Sequence, residues 1–420
     1  MHHPIRLHAP CRMLGRCRAP ESLMNANRPA PALNFPPGID REIFLREYWQ
    51  KRPLLMRAAV PVDSFRLTPD ELAGLACEPE FESRLIIEHG SQDWEVRHGP
   101  LSDTDFAALP DSHWTLLVQD VDKYLPDVAR LIDGFDFVPS WRIDDIMVSY
   151  ATDQGGVGPH TDAYDVFLMQ AAGRRRWRLS YRQYGDQDLL PELEQRILSN
   201  FDTDEDWVLE PGDILYLPPG VAHWGTAKDE CMTYSLGFRA PNQHELASDW
   251  FQHLVALAGE QRLQDPDDLY MDSLTELTEG ARNEAAKLLD SLPSTQTVDF
   301  QLWLGRYLTE PKPQFQILPP DDTWDATDLQ NWIALGGALV RHPFARVAWA
   351  SLNDGRVALF SQGESLLQPD SARELFKHLA ERRRLDATDL TTLLATSPVA
   401  AATLLSLRNE GLLESYEEGS

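Results

Sequence analysis

No apolar stretch in this 420-residue chain reaches the roughly 18 residues that a membrane-spanning helix needs. Cysteine is scarce. Cys11, Cys17, Cys77 and Cys231 are scattered, giving neither a disulfide framework nor a zinc spacing and pointing to a reducing compartment. Basic residues are outnumbered, 38 Lys and Arg against 66 Asp and Glu, for a net charge of −28. That deficit excludes a protein that coats nucleic acid by neutralising phosphate, so no direct nucleic-acid binding is expected. It suits a basic polypeptide partner. No internal repeat is present. Residues 1–35 lack acids except Glu21 and lack the apolar core of a secretory signal. They read as a disordered or non-native extension with Met24 as an alternative start, an Arg-rich transit peptide being the rival reading.

The remaining length suits two or three domains. Asp40 can cap a helix running to about residue 50. Thr68-Pro69-Asp70-Glu71 opens a second with proline at its first position. Strands are expected at 83–88, 94–98 and 114–119, and a helix near 127–133. From residue 146 to 238 short β-runs alternate with Gly, Pro and Asp, with strands expected at 146–152, 160–162, 166–170, 174–180, 207–209, 214–217 and 233–238. Many short strands with turn signals predict a double-stranded β-helix, the jelly-roll or cupin barrel, in an α+β chain. Helical spacing then takes over at 243–257, 273–291 and 297–308. Four prolines between 311 and 320 form a linker. Beyond it, two β-runs flank Asn353-Asp354-Gly355, a primed-turn hairpin signal, and three helices follow, a winged-helix-like pattern. The expected division is 1–35, 36–240 for the barrel, 241–315 for a helical dimerisation-type module and 316–420 for the C-terminal domain.

The chemistry concentrates in Gly156-Val157-Gly158-Pro159-His160-Thr161-Asp162. On an extended strand, residues two apart share a face, so His160 and Asp162 can grip one object. His223, after Leu217-Pro218-Pro219-Gly220, offers a second imidazole. Two histidines and a carboxylate make the facial set of non-haem Fe(II) oxygenases, which leaves positions open for substrates. Twelve histidines will produce some His-x-Asp pairs by chance. The neighbouring glycines, however, would admit a ligand, and the turn before His223 would fix it. Alternation in Gly173-Arg174-Arg175-Arg176-Trp177-Arg178-Leu179 puts Arg175 inward with Trp177 and Leu179. A buried guanidinium needs an anion. With iron in the barrel, that anion is the distal carboxylate of 2-oxoglutarate; the bland alternative is a structural salt bridge. Catalytic zinc uses similar ligands, but a zinc hydrolase has no use for an internal cation that receives a keto acid.

The stretch 44–241 resembles the bacterial JmjC-type ribosomal oxygenases of the cupin superfamily. The resemblance rests on Trp49-Gln50-Lys51-Arg52-Pro53, His98-Gly99-Pro100, Trp141-Arg142-Ile143-Asp144-Asp145, the stretch 155–162, Tyr164-Asp165-Val166-Phe167, the stretches 173–178 and 210–217, and Gly237-Phe238-Arg239-Ala240-Pro241. It implies that His160, Asp162 and His223 bind Fe(II) and catalyse, that Arg175 and Ser149 hold 2-oxoglutarate, and that dioxygen is the second co-substrate. It also implies hydroxylation of an arginine in a basic large-subunit ribosomal protein, a cytoplasmic location and a homodimer. Asp144, Asp153 and Asp165 are candidates for binding a cationic substrate side chain. Two rivals stay open: an oxygenase of the same type acting on histidine or methyl-lysine of another protein, and a non-catalytic cupin scaffold.

Overall fold

A computed structural model describes residues 31–90, 93–191, 193, 195–266 and 275–416, so most of the N-terminal stretch read above as an extension lies outside the described residues. The chain divides into two compact units, 1–240 and 241–420. None of the described helices is long and apolar enough to cross a membrane.

Among the described residues, the first unit has twelve strands: β1 (Leu54–Met56), β2 (Ser83–Gly90), β3 (Asp93–His98), β4 (Trp114–Val118), β5 (Ile143–Ala151), β6 (His160–Thr161), β7 (Val166–Ala172), β8 (Arg175–Ser180), β9 (Glu205–Leu209), β10 (Ile214–Leu217), β11 (Ala222–Ala227) and β12 (Cys231–Phe238). They form an eight-stranded sheet in the order β1-β10-β7-β12-β5-β4-β2-β3 and a four-stranded sheet in the order β6-β11-β8-β9. All their pairings are antiparallel. This is the expected jelly-roll. Helix Arg41–Glu47 starts at Asp40, whose side chain accepts from the Ile43 amide. Helix Pro69–Leu75 starts at a Thr68–Glu71 capping box.

Every residue of β12 is buried, yet its two faces differ in chemistry. Met232, Tyr234, Leu236 and Phe238 join the large apolar core, together with Ile146, Val148 and Tyr150 of β5 and Phe167 and Met169 of β7. Alternation turns the opposite set toward the smaller sheet. There Thr233 stands across from Ser149 and Gln170, and Cys231 across from Ala151. Apolar bulk therefore holds one side of the sheet, and small and polar side chains line the other. That is the composition a ligand cavity needs.

The apolar side is anchored by Phe44, 0 % exposed. Its ring lies 4.9 Å from Tyr216 and 5.7 Å from Phe167, and Trp49 closes on Phe238 at 5.2 Å.

In the second unit, helices Gln243–Leu257 and Val298–Thr309 meet through Trp250 and Trp303, ring centroids 5.0 Å apart. Between them in sequence runs Glu279–Asp290, which starts later than the helix expected at 273–291: residues 273 and 274 lie outside the described residues, and 275–278 are not helical because Thr278 caps the helix, accepting from the Ala281 amide. The C-terminal portion packs helices Arg373–Glu381, Ala387–Thr396 and Ala400–Asn409 with strand Ala338–Arg341 around Leu339, Phe376, Leu390 and Leu404. The hairpin around Asn353-Asp354-Gly355 joins Val347–Ser351 to Arg356–Ser361, but its turn is not primed. Only Gly355 has positive φ, +85°, while the Gly355 amide donates to the Leu352 carbonyl at 3.1 Å and Leu352 to Arg356 at 2.8 Å. That is a three-residue loop closed by a glycine bulge, which needs one left-handed residue instead of two. Helix Ala326–Ala334, although Asp325 and Asp328 form a capping box at its start, and strand Glu364–Pro369 were not expected.

Truncating Phe44 to alanine should leave a cavity beside the Tyr216 and Phe167 rings and destabilise the protein by about 3–5 kcal/mol. Denaturant unfolding followed by tryptophan fluorescence measures it.

Candidate metal centre

Strands β6 and β11 pair so that His160 stands directly opposite His223. The rings lie 4.2 Å apart, centroid to centroid. Asp162, one residue beyond β6, sends one carboxylate oxygen to each: Oδ1 is 3.8 Å from His160 Nε2, and Oδ2 is 3.5 Å from His223 Nε2. The three donor atoms lie within 4.8 Å of one another, and no other His, Cys, Asp or Glu cluster of three among the described residues could hold a metal.

Backbone carbonyls orient both imidazoles. His160 Nδ1 lies 3.0 Å from the Gly158 oxygen, and His223 Nδ1 lies 3.0 Å from the Val221 oxygen. Each ring donates from Nδ1 to the carbonyl two residues before it, leaving Nε2 as a lone-pair donor aimed at the partner ring and Asp162. Burial, and then the facing His160, push the His223 pKa down to about 4, which keeps the ring neutral and able to ligate. The Gly220 amide donates to the Asp162 carbonyl at 2.8 Å, tying the two ligand-bearing segments together. His223 is 2 % exposed, whereas the His160 and Asp162 side chains keep 23 % and 20 %. The cluster therefore has a closed side and an open side.

The glycine run has a different purpose from ligand access. A Cβ on Gly155 would stand 2.2 Å from the Trp114 carbonyl oxygen, and one on Gly156 would stand 2.5 Å from the Gly225 oxygen. These glycines let the segment lie flat on neighbouring strands. The strand bearing His223 was not expected either: Ala222-His223-Trp224-Gly225-Thr226-Ala227 has little alternation and a central glycine. Gly225 faces Trp177 in β8. A Cβ there would fall 2.6 Å from the Trp177 ring and 2.8 Å from Arg175 Nε, so the missing side chain is what lets the arginine cross over β11.

On the closed side, Arg175 is 3 % exposed. Its Nη2 reaches the Gly225 carbonyl at 3.5 Å, its Nε has no partner, and none of the described carboxylates pairs with it. The structural salt bridge is therefore absent. Trp177 Nε1 is also buried and unpaired, and the Arg175 guanidinium lies 5.1 Å from its ring. Ser149, 3 % exposed, donates to the Thr233 carbonyl at 3.3 Å, and Thr233 donates to Gln170 Oε1 at 3.2 Å. Gln170 and Thr233 extend this polar lane. Their alternation with bulky apolar neighbours was the signal that could have found them.

On the open side, Asp165 is not available to a ligand. It is 0 % exposed and accepts from the Tyr216 hydroxyl at 2.6 Å, Gln50 Nε2 at 3.2 Å and Arg142 at 3.2 Å. It clamps the N-terminal segment onto the barrel. Asp153 sits exposed in a turn. Asp145 is 8 % exposed and accepts from the Asp120 amide at 2.9 Å, while Asp144 is half-buried; the Tyr164 phenol pKa is pushed up by enclosure and then by Asp162, Asp145 and Asp144, although 42 % of the residue stays exposed. Gly237 opens space between them: its Cβ would lie 3.7 Å from Asp145 Oδ1 and 3.8 Å from the Tyr164 ring.

Residues 130–246 match the JmjC domain family, and residues 288–414 match the ROXA-like winged helix. The chain is 35 % identical over 374 residues to the ribosomal protein uL16 3-hydroxylase of Escherichia coli K12, covering 88 % of this chain and 95 % of that one. It is 42 % identical over 213 residues to a probable ribosomal oxygenase of Haemophilus influenzae, about half of each chain. The E. coli ribosomal oxygenase YcfD, solved with cobalt and 2-oxoglutarate, superposes with a TM-score of 0.76 at 32 % identity over 92 % of this chain and all of that one.

Gly225→Ala should force Arg175 and Trp177 apart, an overpacking defect of about 1–3 kcal/mol. Chemical denaturation against the wild type checks it.

Proposed function

Because this chain belongs to the JmjC-domain ribosomal oxygenases, we propose that it uses Fe(II), 2-oxoglutarate and dioxygen to hydroxylate an arginine side chain of a basic large-subunit ribosomal protein. The observation that carries the reading is the pairing of a two-imidazole, one-carboxylate cluster with a buried guanidinium that none of the described carboxylates pairs with, in one barrel. The donor set fits a first-row divalent metal with open positions, and the orphaned arginine fits a dicarboxylate. Bound Fe(II) would let dioxygen act as the oxidant, one of its oxygen atoms going to the keto acid as this loses carbon dioxide and becomes succinate and the other being inserted into a C–H bond.

The chain's own residues do the rest. His160, Asp162 and His223 are the ligands, held by the Gly158 and Val221 carbonyls. Arg175 receives the distal carboxylate, with Ser149 beside it on the polar lane. Burial of this end excludes water and strengthens the ion pair. At the open end, the half-buried Asp144 is the carboxylate that favours a cationic target, and arginine's planar fork suits a carboxylate. The E. coli relative, a ribosomal protein uL16 3-hydroxylase, supports the ribosomal target. The net charge of −28 supports a basic partner encountered through long-range attraction. A cytoplasmic location follows from that target. A homodimer belongs to the same reading, supported by Phe251, Val255 and Leu289, which stand 63 %, 74 % and 71 % exposed on the helices of the second unit.

Uncoupled turnover of 2-oxoglutarate should require Fe(II), vanish in His160→Ala and survive in Arg175→Ala with KM for 2-oxoglutarate raised roughly 10- to 100-fold, the loss of a charged hydrogen-bonded pair. Equal inertness of wild type and His160→Ala across iron conditions would leave a non-catalytic scaffold. Mass spectrometry of ribosomal proteins from cells with and without the gene identifies the target. One oxygen atom should be missing from an arginine-containing peptide of a large-subunit protein; an oxygen missing from a histidine peptide, or from none, rejects the assignment. With the purified ribosomal protein as substrate, kcat/KM should fall as salt rises.

A further inference from the structure

The two histidines are not held alike. His223 sits on β11, which has β6 on one side and β8 on the other, so its register is fixed from both. His160 sits on β6, a strand only two residues long at the edge of the small sheet, with β11 as its one neighbour there. So short an edge strand holds its residues loosely unless something else packs on it.

Ile197 and Leu198, in the excursion between β8 and β9, supply the missing support. Gly158, at φ +79°, aims its carbonyl at His160 Nδ1, 3.0 Å away. A Cβ on Gly158 would stand 2.9 Å from Cγ2, 3.1 Å from Cδ1 and 3.2 Å from Cγ1 of Ile197. The isoleucine therefore fills the space that a side chain at 158 would take. Next along the chain, the Leu198 amide donates to the Pro159 carbonyl at 2.8 Å. Both carbonyls ahead of His160 are thus engaged, the first by the imidazole and the second by the excursion.

The excursion is itself well anchored. The Leu190 amide donates to the Ile197 carbonyl and the Ser199 amide to the Asp188 carbonyl, both at 2.8 Å, and Leu189 bridges to Leu198. Ile197 is 2 % exposed and packs in one apolar cluster with Ile86 of β2, Trp94 of β3 and Leu117 of β4. Moving it away from Gly158 would forfeit those contacts and open a void.

We propose that Ile197 is a positioning residue for the metal: seated against Gly158, with Leu198 pinning Pro159, it fixes the turn whose carbonyl orients His160. The inference rests on the reading of His160, Asp162 and His223 as metal ligands. Shortening Ile197 gives the Gly158 peptide room to rotate. Rotation takes away the acceptor that holds the His160 ring and the direction of its Nε2 lone pair. Coupling of this kind is reciprocal, so a bound metal in turn holds the excursion against the turn.

The test uses the full chain and Co(II), with Kd measured by calorimetry and the visible absorption of the bound ion reporting its ligand geometry. Ile197→Ala should weaken Co(II) about 10-fold, the low end of what losing the support of a metal ligand costs, and should shift the absorption bands. Ile197→Val keeps both Cγ atoms beside Gly158 and should recover most of the affinity and the wild-type bands. In the wild type, Co(II) should slow hydrogen exchange at the Leu198 amide more than in β7, a measurement that no variant's folding can confuse. Wild-type Kd and bands in Ile197→Ala, an equal loss in Ile197→Val, or exchange at Leu198 that Co(II) slows no more than in β7 overturns the proposal while leaving the metal reading intact. Wild-type protein that takes up no Co(II), or no more tightly than His160→Ala does, overturns both.

Discussion

The pairing of His160 with His223 across one antiparallel ladder is the constraint on which the rest of the first unit depends. Side chains alternate along a strand, so a slip of one residue in β11 would turn His223 out of the barrel and bring Ala222 or Trp224 in. The register is held locally, by six consecutive pairs between β8 and β11. The bond from the Gly220 amide to the Asp162 carbonyl reinforces it. The glycines at 155, 156 and 225 make that register sterically possible, because each lies where a neighbouring backbone or ring would strike a Cβ.

A second constraint is electrostatic. The barrel buries a guanidinium without burying its counter-ion, and an unpaired buried charge is strongly unfavourable. The unit carries this through the apolar packing on the far side of the large sheet, where Phe44, Trp49, Phe167, Tyr216 and Phe238 interlock. Stability and function are thus assigned to opposite faces of the same strands. The face that holds the fold is bulky and dry; the face that holds the site is small, polar and left incomplete.

Charge is arranged along the cavity as well. The cationic end is closed and carries Arg175. The opposite end is open, with Asp162 and the half-buried Asp144 among the carboxylates that push the Tyr164 phenol pKa up there. A dicarboxylate and a cationic side chain entering such a cavity would be sorted to opposite ends of the metal cluster by sign alone. Asp165, beside the open end in sequence, is withdrawn from that role by Tyr216, Arg142 and Gln50.

Much of this was legible in the chain. Period-two alternation around Arg175, the His-x-Asp spacing, the capping residues Asp40 and Thr68 and the run of short strands depend on local steric and hydrogen-bonding preferences that any segment carries with it. The β11 strand was not legible, because Gly225 and its alanine neighbours are weak strand formers that pair only when β6 and β8 flank them. Nor was the use of the glycines or the withdrawal of Asp165, since each depends on atoms brought together from distant strands. The sequence by itself determined which residue types alternate, which turn and which can ligate, because those are properties of neighbours along the chain. Only the tertiary structure decided which cation remains without a carboxylate, because charge pairing depends on distances across the barrel that no spacing in the chain encodes.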